Sequence, residues 1–215
     1  MSTKISPHFS DQKLEQASIE DFIDVFEDRV RFWLLEPGKT LLSAPDGFIA
    51  AVSLLLTYFE AYAIYRNGDD SKGQSKRFFR EAFIDVFGSA KLTHALLGRV
   101  ADILYQDARC GFFHDGIFRD RVLFAEAVQG ELLVTVPKVN GQPDENGAIE
   151  SVVINPKRFY NAIESHFARY IAGLRDTGNR VARENFKKAV DIKWRPHTAG
   201  AIVGMDEEAF AKLRR

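Results

Sequence analysis

The chain has 215 residues, 46% hydrophobic and 12% aromatic with 18 phenylalanines, so it can bury one substantial core. Its charged fraction of 27% and formal net charge of −1 are ordinary for a soluble protein, which sets aside the disordered and strongly polyanionic classes. A single cysteine, Cys110, excludes an internal disulfide, and the cytoplasm is the expected compartment.

In chain order, residues 1–17 read as a polar lead-in without the apolar core of a signal peptide. Ser18-Ile19-Glu20-Asp21 has the form of a capping box. Behind it Phe22, Ile23, Phe26, Val30 and Trp33 recur at helical spacing until Glu36-Pro37-Gly38, a stop signal. A second helix starts after Ala44-Pro45-Asp46-Gly47 and ends near Asn67-Gly68. Its stretch Phe48–Tyr65 is, at about 18 residues, long enough to cross a bilayer. Glu60 and the tyrosines within it favour a buried bundle helix instead, and no membrane association is expected. The third helix, about Lys76–Phe87, presents Phe79, Phe83 and Val86; the fourth, about Leu92–Asp107, presents Leu96, Leu97, Val100, Ile103 and Leu104. Short connections between four helices suit an up-and-down bundle.

Past residue 116 the period changes. Val122–Val128 and Glu131–Val136 read as strands joined by a tight turn at Gln129-Gly130, Asn140–Gly147 is rich in turn residues, and Ser151–Ile154 adds a third strand. Asn155-Pro156 opens a strongly amphipathic fifth helix through Leu174. A sixth is expected over about Arg180–Val190, and a short terminal one over Met205–Leu213 in the tail 196–215. The expected fold is therefore mainly α: one helical domain over 18–195, an up-and-down bundle with a small antiparallel β insertion at about 122–154 between helices four and five.

The chemistry concentrates in Tyr105–Gly116, which holds Arg109, Cys110 and His114 between Asp107 and Asp115. Arg109 brings a planar fork suited to phosphate or carboxylate. His114 is the side-chain type that trades a proton near neutral pH. On a straight α-helix their five-residue spacing is a rotation of roughly 140°, so they would not share a face. Gly111 offers a bend or an end to the helix that would let them converge, within one chain or across a two-fold axis. Asp107 and Asp115 either orient His114 or are plain helix-end charges. Cys110 is either a thiol activated by Arg109 or a small buried hydrophobe. Glu60 needs a partner if buried, for which Arg109, Tyr58 and Tyr62 are candidates.

Arg109-Cys-Gly-Phe-Phe-His114, following four helical segments, resembles the Arg-x4-6-His signature of the HEPN superfamily. These are small helical-bundle proteins of prokaryotic defence and toxin–antitoxin loci. The resemblance implies a metal-independent endoribonuclease without a cofactor, acting as a homodimer that sets two motifs face to face, with RNA as substrate and an antitoxin or defence protein as partner. Arg109 and His114 would be its catalytic residues, supported by Asp107, Asp115, Glu60 and Cys110. The family's active nucleases often carry Asn, Asp or His where this chain has Cys110. A non-catalytic module that binds RNA or a protein is the alternative.

Charge is unevenly distributed. Asp11–Glu36 holds eight acids and three bases, a net of −5, whereas Pro156–Arg195 holds ten bases and four acids, a net of +6. The basic half, through Arg180, Arg183, Lys187 and Lys188, reads either as an RNA-binding face or as solvated helix surface. No zinc or calcium spacing, phosphate-binding glycine loop, nucleophile elbow or dinucleotide fingerprint occurs, which weighs against nucleotide-dependent and hydrolase chemistry of those kinds.

Overall fold

The computed structural model describes residues 4–88, 92–194, 204 and 206. Among these, six helical runs pack around a phenylalanine-rich core, with a small sheet between the fourth and fifth runs. Most of the tail, and with it the expected Met205–Leu213 helix except for Asp206, lies outside the described residues.

The capping box at Ser18 forms. Its hydroxyl accepts from the Asp21 N–H at 3.2 Å while its own N–H donates to the Asp21 carboxylate at 2.8 Å, and α1 (Ile19–Val30) starts there. The expected stop at Pro37 does not occur. A π-helical turn over Arg31–Leu35 widens the backbone, and α2 (Glu36–Ser43) continues with Pro37 in its first turn. There the missing N–H belongs to the widened segment rather than to a broken α-ladder. The lead-in docks on this run: His8 Nδ1 lies 2.6 Å from Asp28, and Arg29 Nε donates to the Ile5 carbonyl at 2.8 Å.

The apolar second run divides at Leu56 into α3 (Phe48–Leu55) and α4 (Thr57–Asn67). Ser53 and Thr57 hydroxyls donate to the Ile49 and Leu54 carbonyls, the back-bonding that bends helices. This is one helical span long and apolar enough to cross a membrane, and more than half of it is buried inside the fold, where it serves as core. Phe59 stands against Phe79, Phe83, Phe87 and Phe159. These rings come from α4, α5 (Ser75–Phe87) and α7 (Pro156–Arg175), so one side chain joins three helices. The fourth run is α6 (His94–Ile103), extended without interruption by a π-helical stretch over Leu104–Asp115.

The sheet corrects the expected antiparallel hairpin. The strands β1 (Val122–Phe124) and β2 (Leu132–Thr135) do not pair with each other. Both flank β5 (Ser151–Ile154), β1 in parallel and β2 antiparallel, so the sheet is mixed. The reason is burial: Val152 and Ile154 are fully buried, and a strand buried this way is best placed centrally with both edges paired. Asn155 holds the β1–β2 connection, donating to the Glu126 and Val128 carbonyls at 2.9 Å each. The tight hairpin falls instead at Asn140-Gly141, both with positive φ, between β3 (Lys138–Val139) and β4 (Gln142–Pro143).

The helix α7 begins at the expected place, with Asn155 accepting from the Arg158 N–H at 3.1 Å. After it, α8 (Arg180–Lys193) packs Phe186, Ala189 and Val190 inward.

Candidate functional site

The π-helical stretch changes the geometry expected of Arg109 and His114. A π-helix closes hydrogen bonds between residues five apart, so positions i and i+5 stack about one turn above each other. The five-residue spacing that would separate the two on an α-helix sets their backbone positions about one turn apart here, while the Arg109 side chain is bonded to Glu60 and not to His114. Gly111 is not the bend. It is buried, and a Cβ there would lie 3.0 Å from the Ile117 carbonyl oxygen, so it permits the returning chain to pass closely. Gly116 ends the helix, with φ +77° and its N–H donating to the Phe112 carbonyl at 3.1 Å.

The half-buried Arg109 is held on two sides. Its Nη2 donates to Glu60 Oε2 at 2.6 Å, and its guanidinium carbon lies 5.2 Å from the Tyr105 ring centre. Its Nε is buried and makes no hydrogen bond. Glu60, the carboxylate inside the apolar helix, is thus partnered by Arg109. His114 is exposed, and among the described residues it makes no hydrogen bond or ion pair. Beside it Phe113 and Ile117 are 59% and 65% exposed, an uncovered apolar rim.

The flanking carboxylates do not reach His114. Asp107 is only 3% exposed and accepts from Arg121 Nε at 2.7 Å, with Arg121 Nη2 at 2.6 Å. It also receives the Arg119 N–H on its carbonyl, so it anchors the return loop. Asp115 pairs with Arg119 at 3.0 Å. Cys110 is a free, partly buried thiol.

The basic residues of α8 divide. Arg180, Arg183, Lys187 and Lys188 line one open groove of about 440 Å³ with Ile19. Arg183 is nevertheless committed internally, donating to the Leu174 carbonyl at 2.7 Å and to Glu20 at 2.6 Å. Lys187 is paired with Asp191, whereas Arg180 and Lys188 are exposed and have no ion pair among the described residues. The sequence asymmetry of charge is largely met within the fold, since Arg175 also bridges Asp24 and Glu27 at 2.9 and 2.7 Å. Lys13 holds Asp21 at 2.6 Å, and with Ser18 it depresses the Asp21 carboxyl to about 2.

A second polar cluster escaped the sequence reading. Tyr58, two per cent exposed, has its hydroxyl 2.8 Å from His166 Nδ1, and His166 is itself buried. The other ring nitrogen lies 3.7 Å from Asp85, which also accepts from the Tyr62 hydroxyl at 2.7 Å and from Arg66 at 3.3 Å. His166, Tyr62 and Arg66 together hold the Asp85 carboxyl well below the usual range. Burial pushes the Tyr58 phenol well above its ordinary value, so it is neutral, and the direction of its bond to the imidazole follows the His166 tautomer. The available signal was Tyr58 and Tyr62 one turn apart in an otherwise apolar helix, since a buried phenol needs a partner.

Comparison of the chain with known protein families, with curated proteins and with solved structures finds no match.

Proposed function

We propose that the chain is a HEPN-type endoribonuclease that cuts RNA by attack of the 2′-hydroxyl on the adjacent phosphate. His114 takes the hydroxyl proton, Arg109 steadies the charge that grows on the phosphorane oxygens, and as the P–O5′ bond breaks the leaving 5′-oxygen takes a proton from the second motif of the dimer. The observation that supports this reading is the π-helical register, which sets the backbone positions of the Arg-x4-His pair about one turn apart, with the imidazole exposed. Glu60 acts as a positioning residue, fixing one edge of the Arg109 fork. The working unit in this reading is a homodimer with the two motifs facing each other, and the exposed Phe113 and Ile117 supply an apolar rim for that contact. Its setting is defence or toxin–antitoxin biology, with an antitoxin or defence protein as partner.

The experiment is cleavage of a mixed-sequence RNA in EDTA, with product ends read by mass spectrometry. The expected products carry 2′,3′-cyclic phosphates, and deoxyribose at the cut site abolishes the reaction. Light scattering at tens of micromolar, with and without RNA, tests the dimer; a strict monomer in both contradicts it.

One observation favours a second reading, a non-catalytic RNA- or protein-binding module. Arg109 is already paired with Glu60 and lies over Tyr105, as a residue that merely pins a helix end would be. Binding of RNA without cyclic-phosphate products, with or without added metal, would establish that reading over the nuclease.

A further inference from the structure

Nearly every described arginine has an acid, a carbonyl oxygen or an aromatic ring against its guanidinium; Arg158, Arg169 and Arg180 have none of these. Two of the three, Arg158 and Arg169, line the same cleft. It has a volume of about 320 Å³ and includes Asn161 and Ser165 from the same face of α7. Arg169 also lines a second cleft of about 420 Å³, with His166, Tyr170 and Asn179. The two clefts therefore meet at one cation.

Arg158 and Arg169 are both exposed, and an anion seated between them would replace their hydration with charge-assisted bonds. Their attachment points are eleven residues apart, three turns and about 16 Å along the helix. Long side chains from both ends, with Asn161 and Ser165 between them, suit a group offering several acceptor oxygens. The second cleft extends the site past Arg169, with the Tyr170 and His166 side chains along its wall. Asp85, the acid of this cleft, is already met by Tyr62 and Arg66. Glu131 is the acid lining the first cleft, and it makes no ion pair with Arg158.

We propose that the two clefts meeting at Arg169 bind a small phosphorylated molecule, its phosphate between Arg158 and Arg169 and its organic part against Tyr170 and His166. This site uses none of the Arg109–His114 stretch and stands whether or not the chain cuts RNA.

The test is calorimetric titration of the full chain with ribose 5-phosphate and with inorganic pyrophosphate. Both probes should bind with Kd of about 1 mM or below. Arg158→Gln and Arg169→Gln should each weaken both by about tenfold, the loss expected of one charge-assisted contact. Glu131→Gln should tighten both. Arg180→Gln, an equally unpaired cation lining another groove, should change neither. Circular dichroism checks that each variant is folded. Absence of binding by both probes overturns the proposal, as does equal weakening by Arg180→Gln, which would mark general electrostatics. If a short oligoribonucleotide binds in an Arg169-dependent manner while both small probes fail, the clefts form a track for a polymer and the small-molecule site is refuted.

Discussion

Two histidines of this fold sit in opposite circumstances. His114 ends a π-helical stretch, exposed and unpartnered among the described residues, five positions from an arginine that is itself tethered. His166 is buried in the middle of α7, with a phenol on one nitrogen and a carboxylate near the other. The first has the freedom that proton transfer to a substrate requires, and almost no structural work. The second joins α4, α5 and α7 through Tyr58 and Asp85, and it lines a cleft. The lesson is that connection and availability are separate properties of a titratable side chain, and that mutation should separate them in measurement.

The sharpest break in the comparison is in activity. His114→Ala should lower RNA cleavage by a factor of about 100 or more, as removal of a general base does. Its stability should move by less than about 0.5 kcal/mol, the usual scale for an exposed side chain. His166→Ala should do the reverse and cost about 3 kcal/mol in urea unfolding, because it opens a cavity and orphans the Tyr58 hydroxyl. Glu60→Gln lies between the two. Loosening the Arg109 fork should cut cleavage about tenfold and cost roughly 1 kcal/mol, a partly buried pair being worth little more.

On the His166 side, acid should act through Asp85. The unfolded Asp85 carboxyl titrates near about 3.9, and the folded one lies lower because of His166, Tyr62 and Arg66. Its contribution is therefore complete above about pH 4 and lost as pH falls toward the folded value. Asp85→Asn should flatten the stability profile in that window, read by urea midpoints at successive pH values. The smallest effect concerns the basic helix. Arg180→Gln and Lys188→Gln should leave stability unchanged and reduce the salt dependence of RNA binding by a slope of about one each if they touch phosphates. Arg183→Gln should lower the unfolding midpoint, since that guanidinium ties α8 to Glu20 and to the Leu174 carbonyl.

Much of this fold was legible because its signals are local. The Ser18 capping box, the Asn155 cap with Pro156, and the apolar faces of α5 and α7 each depend on residues within a few positions of one another. The π-turns were not. Pro37 reads as a stop in any local scheme, and only packing of α2 on its neighbours makes a widened turn preferable to an end. Strand order failed for a similar reason. Gln129-Gly130 is good hairpin chemistry, yet β5 takes both edges because Val152 and Ile154 must be buried. Arg109 and His114 were named from their side-chain chemistry and a resemblance to a known motif, on a helix geometry that the π-stretch replaces. The Tyr58–His166 bond joins residues 108 positions apart and leaves no trace at either end beyond two polar groups on apolar faces.

The central proposal is that exposed His114, beside a tethered Arg109, serves chemistry whereas buried His166 serves structure. It is tested most directly by measuring cleavage rate and unfolding free energy on the same preparations of wild type, His114→Ala and His166→Ala. The account predicts that His114→Ala abolishes the cyclic-phosphate products and leaves the unfolding curve superimposed on that of wild type. Undiminished cyclic-phosphate formation by a folded His114→Ala protein would contradict it.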